Sequence, residues 1–293
     1  MGRLNISSST LTSQNQGGGN SKAGLPSTIG LGPFSWRIIR RRTNYCCING
    51  KIHATGGNDE VITYTGFTGG EVSTLLSGSI IVGGSFTAFN GKPRNGFIKL
   101  NDDGSPDTVF NTNLGTGFNG GFFPGVNSII EDQSGNYIIG GIFDKFRDQS
   151  ANNIIKLDNL GNIDADFSNN VFGDGENGFT FNGGFVTGVY SIIEDQSGNY
   201  IIGGRFDKFR DQSANSIIKL DSSGNIDVDF STNVFGDGGE NGFTNDVYSI
   251  IEDQSGNYII GGTFDKFQDQ SANHIIKLNS SGKRVASPDW KVI

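Results

Sequence analysis

Two segments of this chain, Val189–Leu220 and Val247–Leu278, are near copies: VYSIIEDQSGNYIIGGRFDKFRDQSANSIIKL against VYSIIEDQSGNYIIGGTFDKFQDQSANHIIKL, with three of 32 positions different. A third copy begins at Val126 and a more diverged one near Gly69. Paired glycines mark the period, at Gly83-Gly84, Gly140-Gly141, Gly203-Gly204 and Gly261-Gly262, with spacings of 57, 63 and 58 residues. A unit of this length cannot bury both of its faces alone, so it must stack on its neighbours in a propeller, solenoid or array.

One unit reads as β structure. Val189-Tyr190-Ser191-Ile192-Ile193 is an apolar, β-branched first strand, and Tyr200-Ile201-Ile202 a second that ends in the paired glycines. Between them, Asp195-Gln196-Ser197-Gly198-Asn199 is turn chemistry, with Gly198 free to take positive φ. A polar tip from Asp207 to Gln212 precedes a third strand, Asn215–Leu220. After the turn Asp221–Asn225, the alternating Ile226-Asp227-Val228-Asp229-Phe230 predicts a fourth strand. Four such strands need about 40 residues. The surplus falls in a Gly-rich connector, Gly236–Asn245, whose length varies between copies. The expectation is an all-β, β-propeller-like array of about four four-stranded blades, with an extended amino-terminal arm. The paired glycines would sit where backbones crowd, and Phe143, Phe206 and Phe264 would fill the gaps between blades. Forty-six glycines, 23 phenylalanines and one methionine among 293 residues fit short strands and turns better than helices.

Three regions are expected: an arm at 1–30, a short β segment or partial blade at 31–65, and repeats at 66–293. The arm is rich in Ser, Asn, Gln and Gly and has too few apolar side chains to offset the entropy of ordering. It carries Arg3, Leu4, Ile6, Leu11, Lys22 and Leu25 as candidate anchors to a partner, followed by the cluster Arg40-Arg41-Arg42. Residues 1–60 hold seven basic side chains against two acidic ones, and the remainder 15 against 28. The basic cluster suits a solvated strand end or a dock for an acidic partner, with a nucleic-acid or anion contact as the alternative. The net charge of −8 argues against a general nucleic-acid binder. No stretch has the roughly 20 apolar residues of a membrane helix, and the polar opening MGRLNISSST lacks an ordinary secretory signal. Residues 44–57 (NYCCINGKIHATGG) echo a strand–turn–strand unit; half a blade, a closing strand and a separate small domain are all compatible with them.

Little in the chain points to catalysis. The adjacent carboxylates Glu131-Asp132, Glu194-Asp195 and Glu252-Asp253 point to opposite faces of a strand and read as solvated strand ends or turns. Asp158-x-x-Gly161-x-x-Asp164 and Asp221-x-x-Gly224-x-x-Asp227 lack the ligand spacing of a calcium loop and read as backbone-bonding turns. His274 takes a slot that is Ser216 and Asn153 in sister repeats. With His53 the only other histidine and Cys46-Cys47 lacking a spaced partner pair, no zinc site, cofactor or disulfide framework is expected. The polar tip recurs, with Asp144, Lys145 and Arg147, with Asp207, Lys208 and Arg210, and with Asp265 and Lys266. It is a candidate repeated contact loop; the plainer reading is an ordinary surface hairpin.

Gly203-Gly204-Arg205-Phe206, then Ile217-Ile218-Lys219-Leu220-Asp221, Gly224 and Asp227-Val228-Asp229-Phe230, resemble the delta-60 repeat, a propeller-forming family without an assigned reaction. The resemblance covers about residues 66–290 and implies a binding or scaffolding propeller. The last copy departs from it: Lys283-Arg284-Val285 replaces Asn-Ile-Asp, and Trp290 stands near the place of the Phe. Separately, Gln16–Pro26 (QGGGNSKAGLP) resembles the amino-terminal arm of some marine bacteriophage virion proteins. The expected function is therefore a non-enzymatic structural or binding propeller of a phage virion, in a head decoration, neck or tail position. It would be held by its arm to other virion proteins in a multi-copy assembly. The alternative is a secreted or cell-surface propeller that binds glycan or protein.

Overall fold

The computed structural model describes residues 80–119, 124–172, 178–181, 187–210, 212–236 and 242–285, together with short strands at 39–40, 43–48, 51–55, 63–64, 67–68 and 72–76. Each repeat is built on a three-stranded antiparallel meander. In the second repeat Gly125–Glu131 pairs with Tyr137–Ile142, which pairs with Ile154–Leu157. The third repeats the order with Gly188–Glu194, Tyr200–Arg205 and Ile217–Leu220, and the fourth with Val247–Glu252, Tyr258–Gly262 and Ile275–Leu278. The turns follow their sequence: Asp195 Oδ1 accepts from the backbone N–H of Ser197 and Asn199, and Gly198 has φ +79°. The paired glycines lie at the end of each middle strand, opposite a bulge in the first strand between Val189 and Ser191 and its equivalents.

The fold class is that expected, an all-β array of propeller-like repeats, but in the first three repeats the expected fourth strand is not there. Only Ile226 bridges Leu220; Asp227 then caps an α-helix, Val228–Phe235, its carboxylate accepting from the N–H of Phe230 at 2.9 Å. The same replacement occurs at Ala165–Phe172, and the helix Thr108–Leu114 is capped by Asp107. Four alternating residues cannot separate a strand from one helical turn, and the aspartate before the run is an N-cap. Phe230, Val234 and Phe235 form the buried helix face, while Val228 is exposed.

The Gly-rich connectors also do more than connect. Phe118–Asn119 pairs with the tip hairpin Lys145–Phe146/Gln149–Ser150 of the second repeat, and Phe179–Thr180 with Lys208–Phe209/Gln212–Ser213 of the third. Each tip is thereby completed by the segment that leads into its repeat. In the fourth, Phe243 bridges Phe267. Every connector brings a phenylalanine onto two others. Phe179 lies 4.4 Å from Phe206 and 4.9 Å from Phe209 between ring centroids, and Phe118 and Phe243 repeat the arrangement on Phe143/Phe146 and Phe264/Phe267. Phe143, Phe206 and Phe264 are all fully buried in these trios.

Within the second unit, the second, third and fourth repeats meet face to face. A Cβ built on Gly203 would lie 2.5 Å from Val247 Cγ1 and 2.9 Å from Ile250 Cδ1 of the following repeat. Gly203→Ala is therefore expected to destabilise the protein by about 1–3 kcal/mol through overpacking. Gly261→Ala, where among the described residues only His274 O lies within 4 Å, should change stability by less than about 0.5 kcal/mol. Equal urea midpoints for the two variants would refute this packing.

The chain divides into two units at Pro106/Asp107, the second containing the helix Thr108–Leu114 and the second to fourth repeats. In the first unit, Val72–Leu76, Ile80–Gly84 and Phe97–Leu100 form the first repeat's meander with the same bulge. Ile39–Arg40, Thr43–Ile48, Lys51–Thr55 and Thr63–Tyr64 form a separate four-stranded antiparallel sheet. In its register Cys46 pairs with His53 and Cys47 with Ile52.

Candidate interaction surfaces

The strongest chemistry in the molecule lies between repeats. The Tyr200 hydroxyl, on the third repeat, donates to Asp132 Oδ2 of the second at 2.9 Å. Lys156 Nζ donates to the Tyr200 oxygen at 3.1 Å and to Ser222 O at 2.9 Å, and lies 3.3 Å from Asp132. One period later Tyr258 donates to Asp195 Oδ2 at 2.8 Å, and Lys219 donates to Tyr258 and to Ser280 O, 3.1 Å from Asp195. Burial alone would push the Asp195 carboxyl up. The N–H of Asn199, the Tyr258 hydroxyl and Lys219 outweigh it and hold the group below its ordinary value; Asp132 is held down in the same way. Desolvation first, and then the neighbouring carboxylate, push the hydroxyls of Tyr200 and Tyr258 far above the normal phenol range.

These aspartates were expected at solvated strand ends. They do start the turns, but Asp195 is 3% exposed and Asp132 6%. The recurrent signal in the sequence is the lysine inside an otherwise apolar strand, Ile217-Ile218-Lys219-Leu220, and the tyrosine before Ile201-Ile202. A lysine repeated at a core position needs a buried carboxylate. With Asp, Tyr and Lys bonded to one another, the triad acts as a fastener between blades.

Among the described residues, a second cluster occurs only at the junction of the third and fourth repeats. Tyr190 and Tyr248 lie at the bulges of their strands with ring centroids 5.3 Å apart. Arg205 Nε donates to Asp246 Oδ2 at 2.8 Å, and the Tyr248 hydroxyl donates to the same oxygen at 3.2 Å. Tyr248 is 46% exposed. The second repeat has Asn127 and Ile142 where the third has Tyr190 and Arg205, so this patch was not visible as a repeated motif. Exposed tyrosine beside a held arginine is the composition of a contact surface.

The tip residues named from the sequence are placed as follows. Asp144, Lys145, Lys208, Asp265 and Lys266 are exposed, and Asp207 is half-buried. Arg210 donates to Asn170 O, at the end of the preceding helix, and Gln268 reaches Asn233 O and Val234 O of the next helix in the same way. Arg147 instead donates to Gly161 O at 3.3 Å. Arg210 thus docks its tip within the chain, where a cation also meets the negative end of a helix. Asp158 and Asp221 use their carboxylates on the backbone and side chains of their own turns. Asp164 and Asp227 cap helices. His274 is exposed, 3.9 Å from Asp265. The arm residues Arg3, Leu4, Ile6, Leu11, Lys22 and Leu25, with Arg41 and Arg42, lie outside the described residues; Arg40 ends the strand Ile39–Arg40.

The match to a family model agrees with the repeat architecture. The model of a β-propeller domain of unknown function (DUF5122) matches residues 77–110, 133–167, 196–230 and 254–284, once in each repeat. No curated protein matches the chain. Among solved structures, one similar chain is a protein of unknown function from Bacteroides caccae, with 12% identity and a TM-score of 0.37 over 83% of this chain and 76% of that one. Another is PorZ, a bacterial surface component of the type-IX secretion system of Porphyromonas gingivalis, with 11% identity and a TM-score of 0.34. That match takes in 84% of this chain but only 38% of PorZ.

Proposed function

We propose that this chain is a non-enzymatic β-propeller with a structural role in a phage virion, as a head decoration, neck or tail component, held by its amino-terminal arm. The observation that carries the non-enzymatic part is the placement of the charged groups. The buried Asp–Tyr–Lys sets recur from repeat to repeat and bond to one another across the junctions. An active site needs different groups converging once on a space for substrate. The virion part draws its support from the arm: a polar, mildly basic segment with spaced apolar anchors can order along a partner's sheet edge. Its partners would be other virion proteins, in many copies, with neither membrane nor nucleic acid involved.

Deleting residues 2–30 should leave the circular dichroism and melting temperature of the repeats unchanged and abolish incorporation into the particle. Wild-type occupancy of the truncated protein would defeat the arm's role, and absence of the chain from purified particles would defeat the virion reading. A second reading, a secreted or cell-surface propeller that binds glycan or protein, is favoured by the patch in which the exposed Tyr248 stacks on the half-buried Tyr190 beside Arg205 and Asp246.

A further inference from the structure

At the junction of the third and fourth repeats, two positions of the repeat change together. Gly188 of the third repeat packs on Ile142 of the second, where a Cβ would lie 2.8 Å from Ile142 Cγ1. One period later Asp246 and Arg205 hold these two places. An apolar contact becomes an ion pair: Arg205 Nε donates to Asp246 Oδ2 at 2.8 Å, and Nη2 donates to the same oxygen. The Tyr248 hydroxyl donates to that oxygen too, at 3.2 Å, while its ring lies 5.3 Å from that of Tyr190. Tyr248 is thus held at both ends, yet it is 46% exposed. Its surroundings are polar. Asn245 Oδ1 accepts from the N–H of Asp246, the N–H of Thr263 donates to Asp246 O, and Ser249 follows Tyr248 in its strand; all three residues are exposed. In the second repeat Asn127 takes the place of the tyrosine and donates its amide to Val189 O, so the repeat itself does not require the ring.

We infer that Tyr248 and Arg205 form a binding site for a neutral saccharide, an inference that rests on the second reading of function and narrows it to one class of ligand. A sugar ring has a face of C–H groups and an edge of hydroxyls. The exposed ring of Tyr248, already fixed, offers that face a flat partner that loses little further rotamer freedom on binding. The hydroxyls need donors and acceptors side by side: Arg205 donates, and Asn245, Ser249 and Thr263 do both. The charge of Arg205 is countered by Asp246, so a carboxylated or sulfated sugar finds no unopposed cation there. An ordinary protein interface takes about 800 Å² from each partner around an apolar centre. Here one tyrosine ring stands within a polar rim, which matches the footprint of a sugar residue.

The test uses the full chain and saturation-transfer NMR against a panel of neutral tetrasaccharides built on glucose, galactose, mannose or N-acetylglucosamine, with sialylated and sulfated tetrasaccharides in parallel. At least one neutral member should receive saturation from aromatic protons. Tyr248→Asn, which copies the residue of the second repeat at an exposed position, should leave the melting temperature unchanged and weaken that binding by at least about tenfold. Tyr248→Phe keeps the ring and should stay within about threefold of the wild type. Absence of binding to every neutral member overturns the inference, as does binding that Tyr248→Asn leaves intact or binding confined to the sialylated and sulfated members. The location of the chain is read separately, by immunoblotting cell-surface, medium and particle fractions. A surface-located chain that binds no neutral saccharide overturns the inference and leaves the second reading standing. Neutral-saccharide binding by a chain found only in particles supports the inference and removes that reading.

Discussion

Replacing Asp195 by alanine is expected to cost about 3–5 kcal/mol, because it strands Lys219 at a buried position without its counter-charge. Tyr258→Phe, which removes the hydroxyl and keeps the ring, should cost about 1–3 kcal/mol. Replacing Asp195 by leucine and Lys219 by methionine together should recover much of the loss, since a buried ion pair is often no better than apolar groups of the same size. Urea unfolding at neutral pH measures all three. A loss below about 1 kcal/mol for Asp195→Ala would mean that Lys219 finds solvent in the folded state. The same triads bound the pH range of stability. The folded carboxyls of Asp132 and Asp195 titrate below their unfolded value, so their contribution is present above about pH 4 and fades as the pH falls through the folded values. The phenols of Tyr200 and Tyr258 titrate above theirs, so their contribution is present below about pH 10 and fades as the pH rises beyond it. Melting temperature against pH should therefore form a plateau with an acid and an alkaline shoulder, and Asp195→Leu/Lys219→Met should reduce the acid one to the part that Asp132 contributes.

Phe206→Ala should destabilise the protein by about 3–5 kcal/mol. The ring is fully buried and touches two others, Phe179 from the connector and Phe209 from the hairpin, so its removal leaves a cavity under the tip that neither neighbour can fill without leaving its strand. Phe143 and Phe264 occupy equivalent trios and should behave alike. A loss under about 0.5 kcal/mol at Phe206 would place the ring at the surface.

The strands, the turns and the site of each paired glycine were legible because they repeat: alternation, Asp-x-x-Gly and Gly-Gly recur at a fixed offset, and chance does not repeat itself across copies. The helices were not, because Asp227-Val228-Asp229-Phe230 satisfies a period of two as well as one helical turn, and only the capping bond separates the two readings. The buried triads were missed for another reason. Asp195, Tyr258 and Lys219 lie up to 63 residues apart and come from two repeats, so no local window holds all three. The Tyr190–Tyr248 patch escaped because it breaks the pattern of the repeat.

The helices and connectors have a consequence for how the chain can be cut. Asn170, in the helix that ends the second repeat, donates to Ser223 O of the third, Asn233 to Ser281 O of the fourth, and the connector strands complete the next tip. The cooperative segment is thus offset from the sequence period, straddling the end of one copy and the start of the next. A fragment cut at the period boundary would separate a helix from its seat and a hairpin from its third strand. An excision that began at the helix cap and ran to the following cap would keep both attachments on one piece of chain.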